Sequence, residues 1–196
     1  MADILIRCLI SRRFIMFDKD FQIRGKHATY WKALSKTPGN AAETSKNFKV
    51  FENYIYVYML APIIGFVNGR KSKLDLSDDN KDTAGMLAEV QIKNQSKLKY
   101  IYRLIVLLDE SDGLSQEERI DRAFRVDENS EQALAGLAVF HSYFYGGLEI
   151  LYEYFVEQST TEDDYINRMY SFVKEYKNEQ EIESIGIDIN KLLQMT

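Results

Sequence analysis

The chain has 196 residues, of which 45% are hydrophobic and 28% are charged, and it contains two prolines and one cysteine. This length predicts one domain, residues 1–196, and the composition excludes a disordered or linker-rich chain. The single Cys8 excludes an intramolecular disulfide and favours a buried apolar role in a reducing compartment.

The formal net charge of −5 is divided unevenly. Residues 1–76 hold 13 Lys or Arg and 6 Asp or Glu, whereas residues 77–196 hold 12 and 24. We therefore treat residues 1–40 as a basic N-terminal arm. Three interpretations stay open: a nucleic-acid face, attraction between two parts of one domain, or contact between the basic end and an acidic partner.

The first part of the chain predicts a strand-containing or irregular arm followed by a short helix. Residues Ile4–Ile23 follow no single period, so we expect a short β-hairpin or irregular arm around a turn at Asp18-Lys19-Asp20. A helix over Ile4–Phe17 is the alternative. Lys26–Ser35 predicts a short helix, which the sequence Thr37-Pro38-Gly39 stops.

The next helix is predicted from Lys46 to Val67, with Thr44 or Ser45 as its N-cap and a kink at Pro62. Asn68-Gly69 closes it. Residues 68–81 are polar and predict a mobile loop. Helices are then expected over Asp82–Asn94 and Lys97–Glu110, where the second carries apolar residues at helical spacing.

Three capping patterns mark the remaining helices. Ser115 with Glu118 opens a short helix to about Phe124, and Asn129 with Gln132 opens the next one. Thr161 with Asp164 starts a helix to about Asn178. A last turn is expected over Ile189–Gln194.

The stretch Glu131–Gln158 carries no charge between Glu131 and Glu149 and is apolar on every side of a helix. Such a helix must be covered on most faces, so it is expected at the centre of a bundle. Gly146-Gly147 inside it predicts the close approach of a neighbour. The sequence thus predicts an all-α, single-domain bundle of six to seven helices around a buried helix at about 130–158.

Familiar catalytic signatures are missing from the sequence. It contains no phosphate loop, no dinucleotide-binding glycine pattern, no His-Glu-x-x-His and no nucleophile elbow. One cysteine and two histidines are too few for a Cys/His zinc site, so we predict no metal and no cofactor. The enzyme alternative uses the helix face on which His141, Tyr145, Glu149 and Glu153 recur every four residues, with His141 as base and Glu149 as its orienting group.

The nucleic-acid alternative uses cations interleaved with Tyr30 and Trp31, because phosphate contacts and base stacking combine in such grooves. Its candidate binding residues are Arg12, Arg13, Arg24, Lys26, Lys32, Arg70, Lys71 and Lys73. A second basic stripe, Arg119, Arg122 and Arg125, alternates with acids that can neutralise it, which favours a solvated helix face.

The leading hypothesis comes from surplus apolar area. Tyr54, Tyr56 and Tyr58 alternate on one helix, and Tyr143, Phe144, Tyr145, Tyr152, Tyr154 and Phe155 crowd another. Because interfaces favour the same residue types as cores, we expect a homo-oligomer or a protein partner. The predicted function is a non-catalytic accessory or scaffold protein that self-associates or docks on a protein partner, with or without nucleic acid nearby. The alternatives are a nucleic-acid-binding protein that uses the basic N-terminal region and a small enzyme with its site around His141 and Glu149. The uncharged runs Tyr54–Asn68 and Gln132–Leu148 are shorter than a membrane span, and no signal-peptide pattern is present, so a cytoplasmic location is expected.

Overall fold

The computed structural model of the chain describes residues 16–36, 49–77, 79–125 and 130–185, with the side chains of the last range described as far as residue 177. Within these ranges the chain is an all-α bundle of seven helices with one small two-stranded sheet, which confirms the predicted fold class. The helices are α1 (Lys26–Leu34), α2 (Tyr54–Val67), α3 (Ala88–Lys93), α4 (Gln95–Leu108), α5 (Gln116–Ile120), α6 (Glu131–Tyr152) and α7 (Glu162–Ile185).

Helix α6 is the centre of the bundle. It packs most extensively against α2 and also contacts α1 and α4. The largest fully buried rings, Trp31, Tyr58, Phe140 and Phe144, come from α1, α2 and α6, and Phe144 lies 5.1 Å from Tyr58 between ring centroids. Burial is uneven along α6. Its residues from Phe140 onward are mostly buried, whereas Leu134 in its second turn is 52% exposed.

Helices α2 and α6 cross with their backbones in contact. A Cβ atom added at Gly147 would lie 1.7 Å from the Ala61 carbonyl oxygen, and one added at Gly65 would lie 2.1 Å from that of Tyr143. A Cβ at Gly146 would lie 2.0 Å from the carbonyl oxygen of Arg70, in the segment that follows α2. The close approach predicted for Gly146-Gly147 is therefore confirmed, and two different neighbours need it.

The sheet pairs strands that are far apart in the sequence. Strand β1 (Phe21–Arg24) lies antiparallel to β2 (Thr83–Met86), with Phe21 opposite Met86. The predicted helix over Asp82–Asn94 is therefore wrong in its first half, and only α3 remains helical. The local pattern favours a helix there, but backbone pairing with a strand about 60 residues earlier outweighs local preference. The residues predicted as the first half of the N-terminal arm, up to Ile15, lie outside the described residues.

Two of the three predicted caps are confirmed. Ser115 and Glu118 satisfy each other's backbone N–H groups at the start of α5, and Thr161 and Asp164 do so before α7. For α6 the cap is Ser130, whose hydroxyl accepts from the backbone N–H of Ala133 at 3.1 Å. Asn129, which was predicted to be that cap, lies outside the described residues.

Other boundaries differ from the prediction. Helix α2 begins at Tyr54 rather than near Lys46, because the chain at Phe51 is extended and forms a β-bridge with Ser35. It continues through Pro62 and ends at Val67, with Asn68 as its C-cap, followed by Gly69 with φ 62°. Helix α7 runs to Ile185, beyond the predicted Asn178. Thr44, Ser45 and the last turn at Ile189–Gln194 lie outside the described residues.

Two π-helical turns extend neighbouring helices. Asp121–Arg125, here called π1, continues α5, and Glu153–Glu157, here called π2, continues α6. Helix α7 makes its main contacts with π2, where Tyr154 and Phe155 pack against Phe172. Most of α7 therefore lies away from the rest of the bundle.

Candidate functional site

A buried carboxylate near the end of α6 organises the polar interior. The Glu149 side chain is 8% exposed, and its Oε1 accepts from Lys26 at 2.9 Å, from Ser72 at 2.8 Å and from His27 at 3.2 Å. Its Oε2 accepts from Arg70 Nε at 3.1 Å and from Arg70 Nη2 at 2.9 Å. Arg70 also donates twice to Glu153, at 2.7 Å each. Each carboxylate oxygen of Glu149 is thus already satisfied by protein donors.

The hydrogen bonds of His27 assign its tautomer. Nδ1 accepts the backbone N–H of Asp75 at 3.3 Å, so the proton of the neutral ring lies on Nε2, which donates to Glu149. The ring is fully buried. Burial lowers the pKa of His27, although the neighbouring Glu149 opposes that effect. His27 is therefore a neutral donor that orients the carboxylate.

The Glu149 carboxylate stays ionised. Burial alone would raise its pKa, but hydrogen bonds from Lys26, Ser72 and Arg70 and the charge of Lys26 outweigh burial and lower the pKa to about 2. A carboxylate with such a low pKa and no free acceptor position is a poor general base at neutral pH. The cluster ties helix α6 to α1 and to the segment after α2.

Residues 70–77 and 79–82 include side chains that are held against α1. The Asp75 carboxylate accepts the backbone N–H of Lys26 at 3.0 Å, next to Gly25, whose φ of 72° suits glycine. The backbone N–H groups of Lys26 and Ser77 donate to this carboxylate and lower the pKa of Asp75 to about 2. Asp82 accepts from Thr29 at 3.0 Å and pairs with Lys32. The acidic side chains of this segment therefore cap and neutralise α1.

The predicted nucleic-acid residues fall into three groups. Four of them pair with acids of the same chain: Lys26 and Arg70 with Glu149, Lys32 with Asp82, and Lys71 with Asp109. Two others, Arg24 and Lys73, are exposed and make no ion pair with any described residue. Arg12 and Arg13 lie outside the described residues. Half of the predicted basic surface is thus neutralised within the chain.

The residues of the enzyme alternative do not converge. His141 lies two helical turns before Glu149, stacks on Phe21 with 4.7 Å between ring centroids, and its Nε2 lies 2.9 Å from the Tyr58 hydroxyl. Burial among these rings lowers the pKa of His141 to about 4. Four cavities among the described residues are lined by other side chains, and His141 is not one of their lining residues. It belongs to the aromatic core.

The basic stripe on α5 and π1 is also neutralised. Arg119 pairs with Glu110 at 3.0 Å, Arg125 pairs with Asp121 at 2.8 Å, and Arg122 pairs with Asp112. Asp121 lies within the stripe itself, while Glu110 and Asp112 come from the preceding loop. In the described part of the chain, no three His, Cys, Asp or Glu side chains are arranged to hold a metal ion.

An exposed apolar face runs along α4. Tyr100 is 68% exposed, Leu104 is 39% exposed and Leu108 is 50% exposed, so every fourth residue projects an apolar side chain into solvent. Phe124 of π1, with the Arg103 guanidinium 5.5 Å from its ring centroid, stands beside them. A groove of about 300 Å³ lies between Phe124 and the side chains of Leu104 and Leu107. We call Tyr100, Leu104, Leu107, Leu108 and Phe124 together the α4 face.

Helix α4 therefore has two apolar sides. Leu98, Ile101, Tyr102, Ile105 and Val106 are buried in the bundle, and the α4 face lies outside it. Sequence analysis identified the apolar residues of this helix but expected the surplus area on the aromatic-rich helices. On those helices, α2 and α6, Tyr56 is exposed. The core buries the aromatic side chains of Tyr54, Tyr58, Tyr143, Phe144 and Tyr145. Only the packed structure distinguishes the covered side of α4 from the open one.

A second exposed apolar stripe lies on α7. Ile166, Tyr170 and Val173 are 51%, 69% and 65% exposed, respectively. The other side of the helix carries Met169, Phe172 and Tyr176, which pack partly on the hydrophobic core. Helix α7 is thus amphipathic, with part of its apolar surface left uncovered within the described residues.

Among the described residues, one helix, Glu131–Glu157, is long and apolar enough to cross a bilayer, and 56% of its most apolar window is buried inside the protein. The core helix of a soluble protein meets the same criteria, so this length and composition carry little weight. Comparisons of the chain with protein-family models, with curated proteins and with solved structures gave no match.

Proposed function

We propose that the protein is a non-catalytic accessory or scaffold protein that docks on another protein chain through the α4 face. The observation that carries this proposal is the row Tyr100, Leu104 and Leu108, exposed at four-residue spacing beside the groove under Phe124. A contiguous apolar patch rimmed by polar side chains is typical of a protein interface. Helices recognise such grooves through anchors that recur every three or four residues.

The polar interior supports the same proposal. The donors around Glu149 all donate to its carboxylate, which holds α1, α6 and the segment after α2 together. The rigid elements that result hold α4 in place through its buried side. Docking surfaces on a preorganised scaffold lose less conformational entropy on binding than mobile ones do.

Photo-crosslinking tests the proposal on the intact chain. Benzoylphenylalanine is placed at position 104, or at the exposed control position 117 on α5, and the chain is irradiated in the cells that make it. We expect a discrete protein adduct from position 104 that Tyr100→Asp abolishes, with none from position 117. Mass spectrometry then identifies the crosslinked peptide. No adduct at position 104 beyond that at position 117, or an adduct only within the same chain, would contradict the proposal.

A further inference from the structure

We infer that the occupant of the α4 face is helix α7 of a second copy of the chain, so that copies associate head to tail. This inference rests on the proposed function, since it names the partner of the same surface. Its first support is matched spacing. Beside the exposed Leu108, the α4 face carries apolar residues at 100, 104 and 107, of which Leu107 is half-buried and lines the groove, and the exposed stripe of α7 carries them at 166, 170 and 173.

Both rows thus step by four and then by three residues, which is the spacing at which two helices pack side by side along a seam. With the two helices parallel, Ile166 lies beside Tyr100, Tyr170 beside Leu104 and Val173 beside Leu107. Tyr170, the most exposed apolar residue of the stripe, then faces the groove of about 300 Å³ between Leu104 and Phe124.

Charge complementarity supports the same pairing. Helix α4 contains three cations, Lys97, Lys99 and Arg103, and no acid between Gln95 and Leu108. The first turn of α7 contains Glu162, Asp163 and Asp164. Asp164 is engaged in the cap, while Glu162 and Asp163 are exposed and make no ion pair with any described residue.

The charges also favour parallel over antiparallel packing of α4 and α7. In the parallel arrangement Asp163 and Glu162 lie beside Lys97, which is exposed at the start of the α4 face. The antiparallel arrangement would place Lys174 beside Lys99 and Lys177 near Lys97, with Glu175 as the one acid close by, and would lose the contact with Glu162 and Asp163. Pairing of two α4 faces would bring Lys97 and Arg103 of both copies together, and like charges disfavour that contact.

The accessible position of α7 makes the contact feasible. Within the described residues its main contacts are with π2, and its exposed stripe lies on the side opposite the residues that pack on the core. Three apolar layers form a small interface, below the size of a standard stable complex, so association is expected to be weak and concentration-dependent. A head-to-tail contact is heterologous and therefore continues into rings or open chains rather than stopping at a dimer.

Complementary surface variants test the inference by light scattering. Leu104→Asp blocks the α4 face and Tyr170→Asp blocks α7, and both positions are exposed, so circular dichroism should show unchanged folding. Wild type is expected to grow from the 22.9 kDa chain mass to dimers and larger species between about 5 µM and about 1 mM. Each variant alone is expected to stay at chain mass. Their equimolar mixture is expected to form a dimer and nothing larger, because one open face of each kind remains.

A charge-exchange pair adds a second readout. Lys97→Glu and Asp163→Lys should each weaken association several-fold, and mixing the two should recover it in part, since one contact then regains opposite charges. A wild type that stays monomeric, a blocked variant that still associates, or a mixture that forms no dimer would overturn the inference. If position 104 instead crosslinks to a different protein, the inference fails while the proposed function stands. If it crosslinks to nothing, both fail.

Discussion

The crossing of α2 and α6 allows one stability effect to be worked out from distances. Replacing Gly147 by Ala would place a Cβ atom 1.7 Å from the Ala61 carbonyl oxygen and 2.8 Å from the backbone nitrogen of Gly65. Since ordinary contact begins near 3.4 Å, the two helix backbones must separate by roughly 1.5 Å. Neither clashing atom belongs to a side chain that can rotate away.

The steric cost of Gly147→Ala exceeds the stability that the substitution gains from higher helix propensity. Overpacking a core costs about 1–3 kcal/mol, and the separation of two backbones belongs at or above the upper end, while Gly to Ala inside a helix gains about 1 kcal/mol. We therefore expect Gly147→Ala to lower the free energy of unfolding by about 3 kcal/mol, or to prevent folding.

Urea denaturation followed by circular dichroism measures this change. Gly69→Ala is the matched control, because a Cβ at Gly69 meets nothing within 4 Å and only its φ of 62° opposes the substitution. The control should lose about 1 kcal/mol. A Gly147→Ala protein as stable as wild type would refute the close crossing of the two helices.

Three further predictions concern stability. The pKa of His141 is about 4 in the folded chain and 6.5 in the unfolded chain, so below pH 6.5 the unfolded chain takes up a proton that the folded chain does not. The free energy of unfolding of wild type should therefore fall by up to about 3 kcal/mol between pH 6.5 and pH 4. His141→Phe should flatten this slope in urea titrations. Arg70→Gln should lower the free energy of unfolding by about 1–2 kcal/mol, since the Arg70 side chain is 38% exposed and solvent screens its pairs, while Arg24→Gln should change it by less than about 0.5 kcal/mol. Ser130→Ala, which removes the α6 cap, should lower the free energy of unfolding by about 1 kcal/mol in urea titrations.

Local signals in the sequence predicted the elements that local interactions determine. The Ser115–Glu118 and Thr161–Asp164 caps lie within four residues of their partners, and the structure contains both. The uncharged stretch after Glu131 predicted a central helix, because an all-round apolar helix has to be covered. The paired glycines predicted a close crossing for the same reason: a glycine inside a helix needs a compensating contact.

Long-range partners could not be predicted in this way. Strand β2 depends on hydrogen bonds to β1, and the start of α2 depends on a bridge from Phe51 to Ser35. The partners of Glu149 come from positions 26, 27, 70 and 72, which no spacing rule connects. Similarly, an apolar residue on α4 looks the same in the sequence whether the fold covers it or leaves it exposed.

The central claim is that the α4 face is covered by another protein chain when the protein is at work. Rapid tyrosine oxidation in intact cells tests it directly, with Tyr56 as an internal control of the same residue type on a different helix. In the dilute purified chain Tyr100 should react at least as well as Tyr56, since they are 68% and 49% exposed. We predict that the ratio of Tyr100 to Tyr56 oxidation falls several-fold in cells, and an unchanged ratio would contradict coverage of the α4 face.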